Sequence, residues 1–218
     1  MIAGPGELER LSPTLAAAFL GCSAAAAWTL EVRRGLRAAA EPVENPHSAL
    51  IARKGLEHEA ICLAELRERC GDVVEIPSGA LDTRFAATVE AMERGAPLIY
   101  KAALTAGSWL GYADFLVRVD ESCPRWAWSY EPWDAKLSRN AKPEHLLQIA
   151  LYGDFLATVQ DRSAHHGALM LGTGDHASEL DLARIALSRF GSVAAAAGSG
   201  PEEARPDHGS PRSSGEGT

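Results

Sequence analysis

Three strand-like segments follow one another between residues 97 and 137, and this run constrains the fold more than any other feature of the chain. Residues 97–104 and 108–120 are rich in apolar and aromatic residues and are joined by the short segment TAGS, which predicts a β-hairpin. Residues 125–137 predict a third strand. Because helices are predicted on both sides of this run, the order of elements indicates a mixed α/β domain.

The remaining segments supply helices and two further strands. Apolar residues at helical spacing predict an N-terminal helical part, with helices over about 13–38 and about 47–70. A short strand, DVVEI, and a helix that ends at Gly95 come before the hairpin. After it, Pro143 predicts a helix start, and a strand, HGALMLG, and a last helix, ELDLARIALSRF (179–190), complete the series.

The two ends of the chain differ from its middle in composition. Residues 191–218 are poor in large apolar residues and rich in Gly, Ser, Pro and charged residues, so burial cannot offset the entropy lost on ordering. We expect this tail and residues 1–10 to be disordered, which leaves 11–190 as one domain.

The alanine-rich segment 11–30 resembles a signal peptide, and Cys22 would then be a lipid-anchor site. The residues before it include two glutamates and a single arginine, whereas an export signal carries net positive charge. Ser12 followed by Pro13 is a good helix start instead. We therefore expect a helix, a cytoplasmic protein and no membrane partner; the lipid-anchored alternative depends on Cys22 alone.

Net charge and cysteine content limit the possible ligands and the cellular compartment. The formal net charge is -8, so the protein as a whole is not an electrostatic nucleic-acid binder, and any polyanion needs a local basic surface or a metal ion. The four cysteines show neither CxxC pairing nor metal-ligand spacing, which is typical of a reduced cytoplasm.

Two acidic residues lie in neighbouring predicted strands. Asp114 is flanked by apolar residues, and a carboxylate in such a run is costly unless a cation accompanies it. Asp134 lies in the next strand, where the two carboxylates can face each other. Together with a backbone carbonyl such as that of Ala135 and water, they would form an oxygen-rich site suited to Mg²⁺ or Mn²⁺.

Lys136 shares a strand face with Asp134, because side chains two residues apart on a strand project together. Its ammonium would sit beside the cation, where it could activate water or stabilise charge on a phosphate. Glu131 is on the opposite face and is a weaker ligand candidate. Pro132 lacks a backbone donor, which favours an edge strand or a bulge.

The next helix carries Gln148 and Tyr152 on one face, since they are four residues apart. Lys136, Arg139 and Lys142 form a small basic patch in an otherwise acidic chain, where a phosphate backbone could approach.

These motifs resemble the PD-(D/E)XK nuclease superfamily. Asp114, the DAK motif at 134–136 and the Gln148-x-x-x-Tyr152 pattern match its RecB-like branch, and His58 in KGLEHE is similar to the branch's histidine motif. The strings GYADFL and DAKL resemble those of a group of bacterial RecB-like nucleases, over most of the predicted domain.

The resemblance implies a restriction-endonuclease-like core, a central mixed β-sheet flanked by helices, and metal-dependent hydrolysis of DNA. The expected activity is that of a deoxyribonuclease, taken as an exonuclease, in repair, recombination or defence, with a helicase or another repair subunit as a further partner. No cysteine follows Tyr152, where some members hold an iron-sulfur cluster, so no cluster is expected. The implied roles are metal binding by His58, Asp114, Asp134 and the Ala135 carbonyl, catalysis by Lys136 with both aspartates, and nucleic-acid contact by Gln148, Tyr152, Arg139 and Lys142.

Plainer interpretations stay open for these residues. Asp134 and Lys136 have the alternative of a solvated surface pair, and His58 that of a surface histidine on an amphipathic helix. Gln148 and Tyr152 are equally well an ordinary boundary pair.

The adjacent histidines and the clustered tryptophans have structural interpretations. His165 and His166 are taken as structural, and the tryptophans at 126, 128 and 133 as core residues.

The whole domain also has a non-catalytic interpretation. An inactive nuclease-fold domain would be a DNA- or protein-binding module; the presence of every motif residue favours the enzyme.

Overall fold

The computed structural model describes residues 10–41, 45–172 and 178–182, all within the unit Met1–Ile185. The tail predicted to be disordered, 191–218, lies outside the described residues, as does the N-terminal segment except for Arg10. Within the described ranges, no helix is both long and apolar enough to cross a membrane.

The N-terminal part contains two short helices, α1 (Pro13–Gly21) and α2 (Ser23–Arg33), so the prediction of one continuous helix over 13–38 is wrong. Cys22 separates them with an extended backbone, directly after Gly21, a residue that weakens helices. The predicted start is confirmed, because the Ser12 side chain accepts a hydrogen bond from the backbone N–H of Leu15.

The third helix, α3 (Pro46–Cys70), agrees with the prediction for 47–70. It begins with an asparagine cap, since the Asn45 side chain accepts from the N–H of His47. Its C-terminal half packs on the sheet through Cys62 and Leu66, which are buried.

One six-stranded sheet forms the centre, with its strands in chain order. The β1–β2 and β4–β5 pairs are parallel and the other three pairs are antiparallel. The predicted hairpin is β2–β3, whose turn contains Gly107 in the left-handed region (φ 56°). The remaining elements are β1 (Val73–Glu75), α4 (Leu81–Glu93), β2 (Leu98–Ala106), β3 (Trp109–Val119), β4 (Ser129–Lys136), α5 (Pro143–Gln160), β5 (His166–Leu171) and β6 (Ser178–Asp181).

Helices cover both faces of the sheet and define two apolar clusters. The face covered by α4 and α5 holds the larger cluster, which includes Ile99, Leu116, Tyr130, Ile149 and Leu156. The face covered by α3 holds Cys62, Leu66, Leu98, Phe115, Trp133, Ala168 and Met170. A mixed sheet between helices, with an N-terminal helical part, confirms the predicted α/β class and is compatible with a restriction-endonuclease-like fold.

The tryptophans before the candidate site pack as predicted. Trp126 and Trp128 lie against the α4–α5 cluster, whereas Trp133 belongs to the cluster on the α3 face. The crowding of aromatic residues therefore reflects core packing on both sides of the sheet.

Two expectations about strands are wrong. Pro132 was expected in an edge strand or a bulge, but it lies in an interior strand, because β4 is paired on both sides. The proline precedes the first β4–β5 pair, Trp133 with Ala168, and so removes no donor from that ladder.

Residues 178–181 form strand β6 instead of starting a helix. Leu180 and Leu182 pack against the larger cluster at strand spacing. The rest of the predicted helix, 183–190, lies outside the described residues.

Candidate active site

Asp114 and Asp134 come together where strands β3 and β4 separate. The paired register ends at Phe115 and Trp133, and the next residue of each strand toward the site is one of the two aspartates. Oδ2 of Asp114 accepts a hydrogen bond from the backbone N–H of Ala135 at 3.1 Å, in place of a ladder bond. The fold therefore places two carboxylates side by side around Ala135.

Asp134 is a buried carboxylate, with only 3% of its surface exposed. Burial is the main reason that its pKa is raised, the neighbouring Asp114 carboxylate adds to this, and Lys136 acts in the opposite direction. Its Oδ2 atom is fully buried and has no partner with hydrogen-bond geometry among the described residues. A divalent cation would relieve the repulsion between the two carboxylates.

Lys136 lies beside this carboxylate. Its Nζ is 2.5 Å from Oδ2 of Asp134, an ion pair in distance although not in hydrogen-bond angle. The side chain is 21% exposed, so the ammonium remains accessible to an incoming group. Two residues of one strand face thus present a buried carboxylate and, beside it, a partly exposed ammonium.

Lys101, in β2, is a site residue that the sequence analysis missed. Its Nζ lies 3.0 Å from Oδ1 of Asp114 and 2.6 Å from Oε1 of Glu59, which α3 contributes. Its backbone is in the left-handed region, at φ 60°, which is unusual for a lysine within a strand. A charged residue inside the apolar segment PLIYKAAL was the available signal, on the same reasoning that identified Asp114.

His58 is held by a backbone hydrogen bond. Its Nε2 donates to the carbonyl oxygen of Met170 at 2.9 Å, and Cys62 Sγ lies 3.5 Å from the same nitrogen. Because Nε2 makes this hydrogen bond, Nδ1 is the ring nitrogen that a metal ion would have to use.

The predicted three-residue metal set is only partly brought together. Asp114 and Asp134 are adjacent, but the described residues contain no group of three His, Cys, Asp or Glu side chains arranged to hold a metal ion. The donor chemistry fits a hard divalent cation, because two carboxylates and the Ala135 backbone offer oxygen ligands. The metal roles of His58 and of the Ala135 carbonyl stay predictions.

Tyr152 is buried beside the carboxylates. Its hydroxyl donates to the carbonyl oxygen of Tyr112 at 2.9 Å. Burial raises its pKa above the usual range, with smaller contributions from the carboxylates of Asp134 and Asp114. This buried position favours a role for Tyr152 in bracing the site over direct contact with a nucleic-acid strand. Gln148 is half-buried, and its amide lies 3.5 Å from the hydroxyl of Thr14.

The predicted basic patch follows β4. Arg139 and Lys142 are exposed, and neither forms an ion pair with a described residue. His145, which the sequence analysis did not select, lies near Lys136: its pKa is lowered by burial and further by that ammonium. Arg139 and Lys142 are therefore available to an anion, whereas Lys136 is paired with Asp134.

The histidines 165 and 166 lie away from this cluster. Nδ1 of His166 is 3.3 Å from Oε1 of Glu131, which occupies the strand face opposite Asp134, as predicted. This contact involves neither aspartate of the candidate site, and the structural role of both histidines stays a prediction.

Comparison with known proteins provides no assignment. A scan against models of protein families finds no match to this chain, and a search of curated proteins finds no significant one.

Proposed function

We propose that this protein is a metal-dependent deoxyribonuclease of the RecB-like type that hydrolyses phosphodiester bonds with Mg²⁺ or Mn²⁺. The observation that carries the proposal is the buried carboxylate of Asp134, which lies beside Asp114 and Lys136 and has a raised pKa. Ionisable groups with strongly perturbed pKa values concentrate at functional sites.

The carboxylates would hold the cation, and their surroundings fix their orientation. Lys101 pairs with one oxygen of Asp114 and the N–H of Ala135 with the other, so this carboxylate cannot rotate freely. A bound Mg²⁺ or Mn²⁺ would lower the pKa of a water molecule and neutralise charge on the phosphate.

Lys136 would act on the substrate. Its partly exposed ammonium can donate a hydrogen bond to a non-bridging phosphate oxygen, whose negative charge grows as water attacks phosphorus. Because Asp134 balances its charge at 2.5 Å, the ammonium is held in place before substrate arrives.

DNA is the proposed substrate, in single- or double-stranded form. The exposed Arg139 and Lys142 support this, since they give an acidic protein a local surface for phosphates beside the site. The resemblance to RecB-like nucleases adds the expectation of exonuclease action, and of a helicase or another repair subunit as partner.

A non-catalytic binding module is the second candidate. It is favoured by the lack of a three-ligand metal group among the described residues, and by Lys101, which already pairs with two of the acids. Such a module would use the basic patch to bind DNA without cleaving it.

A cleavage assay separates the two candidates. Purified protein is incubated with single- and double-stranded DNA in Mg²⁺, Mn²⁺ or chelator, and Lys136→Met is compared with Lys54→Met, which removes an exposed lysine of α3. We expect cleavage only with metal, a loss of about 100-fold or more in Lys136→Met, and no change in Lys54→Met. Absence of cleavage by the wild type with every metal, while DNA is still bound, would establish the binding module.

A further inference from the structure

A cavity of about 320 Å³ opens between the N-terminal segment, the start of β3 and helix α5. Leu11, Leu110, Tyr112 and Tyr152 are among the residues that line it. Tyr112 lies two residues before Asp114 on β3, so the cavity neighbours the carboxylate pair. Its volume is within the range of small-ligand sites.

The cavity is basic in a protein of net charge -8. Arg10 and Arg33 line it, and no described lining residue is acidic. Arg33 is half-buried and forms no ion pair or hydrogen bond with a described residue. Arg10 uses one nitrogen to donate to the carbonyl of Gly107 at 3.1 Å, which leaves further donors available. Two guanidinium groups without a carboxylate partner form a site that suits an anion.

The wall that carries Arg10 is held in place by backbone hydrogen bonds. The N–H of Leu11 donates to the carbonyl of Ser108, and the N–H of Leu110 donates to the carbonyl of Leu11, both at 2.9 Å. Opposite, Gln148 contacts Thr14, another lining residue, and so links α5 to the same wall. A ligand would therefore meet a preorganised cavity instead of having to order a loose segment.

We propose that this cavity binds a phosphate group of the nucleic-acid strand, with Arg33 as its main ligand and Arg10 as the second. The inference rests on the proposed function for its choice of ligand, because the cavity adjoins the site where a phosphodiester would be cleaved.

Binding is measured without turnover, so that the test does not depend on catalysis. A short fluorescein-labelled single-stranded oligonucleotide is titrated by anisotropy in chelator, over a series of salt concentrations. Arg33→Gln is compared with Arg34→Gln, which removes the same charge from the exposed neighbouring residue outside the cavity. Arg33→Lys keeps the charge but not the planar fork, and circular dichroism checks that each variant is folded.

We expect Arg33→Gln to weaken binding about tenfold, because one charge-assisted contact is lost. The slope of log affinity against log salt should fall by about 0.7, the value for one phosphate contact on a single strand. Arg33→Lys should recover part of the affinity, and Arg34→Gln should stay within about twofold of the wild type. Equal effects of Arg33→Gln and Arg34→Gln, or no binding by the wild type, would overturn the proposal.

The outcomes distinguish this inference from the proposed function. If Arg33→Gln impairs binding and the wild type cleaves nothing with any metal, the phosphate site stands and the nuclease does not. If the wild type cleaves DNA and Arg33→Gln binds normally, the nuclease stands and the phosphate site does not.

Discussion

Lys101 and Asp114 face each other across the β2–β3 ladder, with 3.0 Å between Nζ and Oδ1. The lysine reaches this position with a left-handed backbone, φ 60°, in the middle of a strand. Strained backbone of this kind is concentrated at functional sites, where the surrounding structure maintains it. Here Glu59 and Asp114 maintain it by pairing with the same ammonium.

Replacing Lys101 separates the backbone strain from the ion pairs. Lys101→Ala and Lys101→Gly both lose the contacts with Glu59 and Asp114, but only alanine has a Cβ that crowds the backbone at positive φ. We expect the glycine variant to be more stable than the alanine variant by about 1 kcal/mol, measured by denaturant unfolding. An alanine variant of equal or greater stability would contradict the described backbone.

Asp134→Asn should stabilise the protein at neutral pH. A carboxyl whose pKa is raised in the folded state binds its proton more tightly there than in the unfolded chain, so it increasingly destabilises the fold as pH rises above about 3.9, the ordinary value. Asparagine does not ionise and avoids this cost. We expect a gain on the order of 1 kcal/mol or more at pH 7 that shrinks as the pH is lowered toward 4.

The exposed Asp72 provides the control for that measurement. Asp72→Asn should change the free energy of unfolding by less than about 0.5 kcal/mol at either pH. If Asp134→Asn is less stable than the wild type at pH 7, the prediction is contradicted, because the carboxylate of Asp134 then contributes to stability.

Two glycine-to-alanine substitutions should have opposite signs. A Cβ at Gly111 would lie 2.6 Å from Cε1 of Tyr152 and 3.0 Å from Cε2 of Phe155, so Gly111→Ala should cost about 1–3 kcal/mol by overpacking. Gly55, within α3, has no atom within 4 Å of such a Cβ, and Gly55→Ala should stabilise by about 1 kcal/mol. Thermal unfolding of both variants checks the packing of Tyr152; equal shifts would refute it.

The sequence predicted the sheet and its carboxylates because both depend on local patterns. The hairpin β2–β3 follows from two apolar segments joined by a short turn, and neighbouring strands bring Asp114 and Asp134 together. Prolines at the first helical position indicated the starts of α1 and α5, at Pro13 and Pro143.

Features that depend on tertiary contacts were not predictable in the same way. The break at Cys22 interrupts a uniformly alanine-rich segment, and β6 forms because residues 178–181 pair with the edge of β5. The contact of Lys101 with Glu59 joins residues on different elements, 42 positions apart in the sequence. Only the folded chain reveals such partners.

Binding of Mn²⁺ tests the central claim, that Asp114 and Asp134 share one divalent cation, most directly. Isothermal titration calorimetry is performed on the wild type, Asp114→Asn, Asp134→Asn and the double variant, with Asp72→Asn as the control. We predict one Mn²⁺ site in the wild type and in the control, its loss in either single variant, and no further loss in the double variant. A wild type that binds no Mn²⁺, or single variants that bind it as tightly as the wild type, would contradict a metal centre at these two carboxylates.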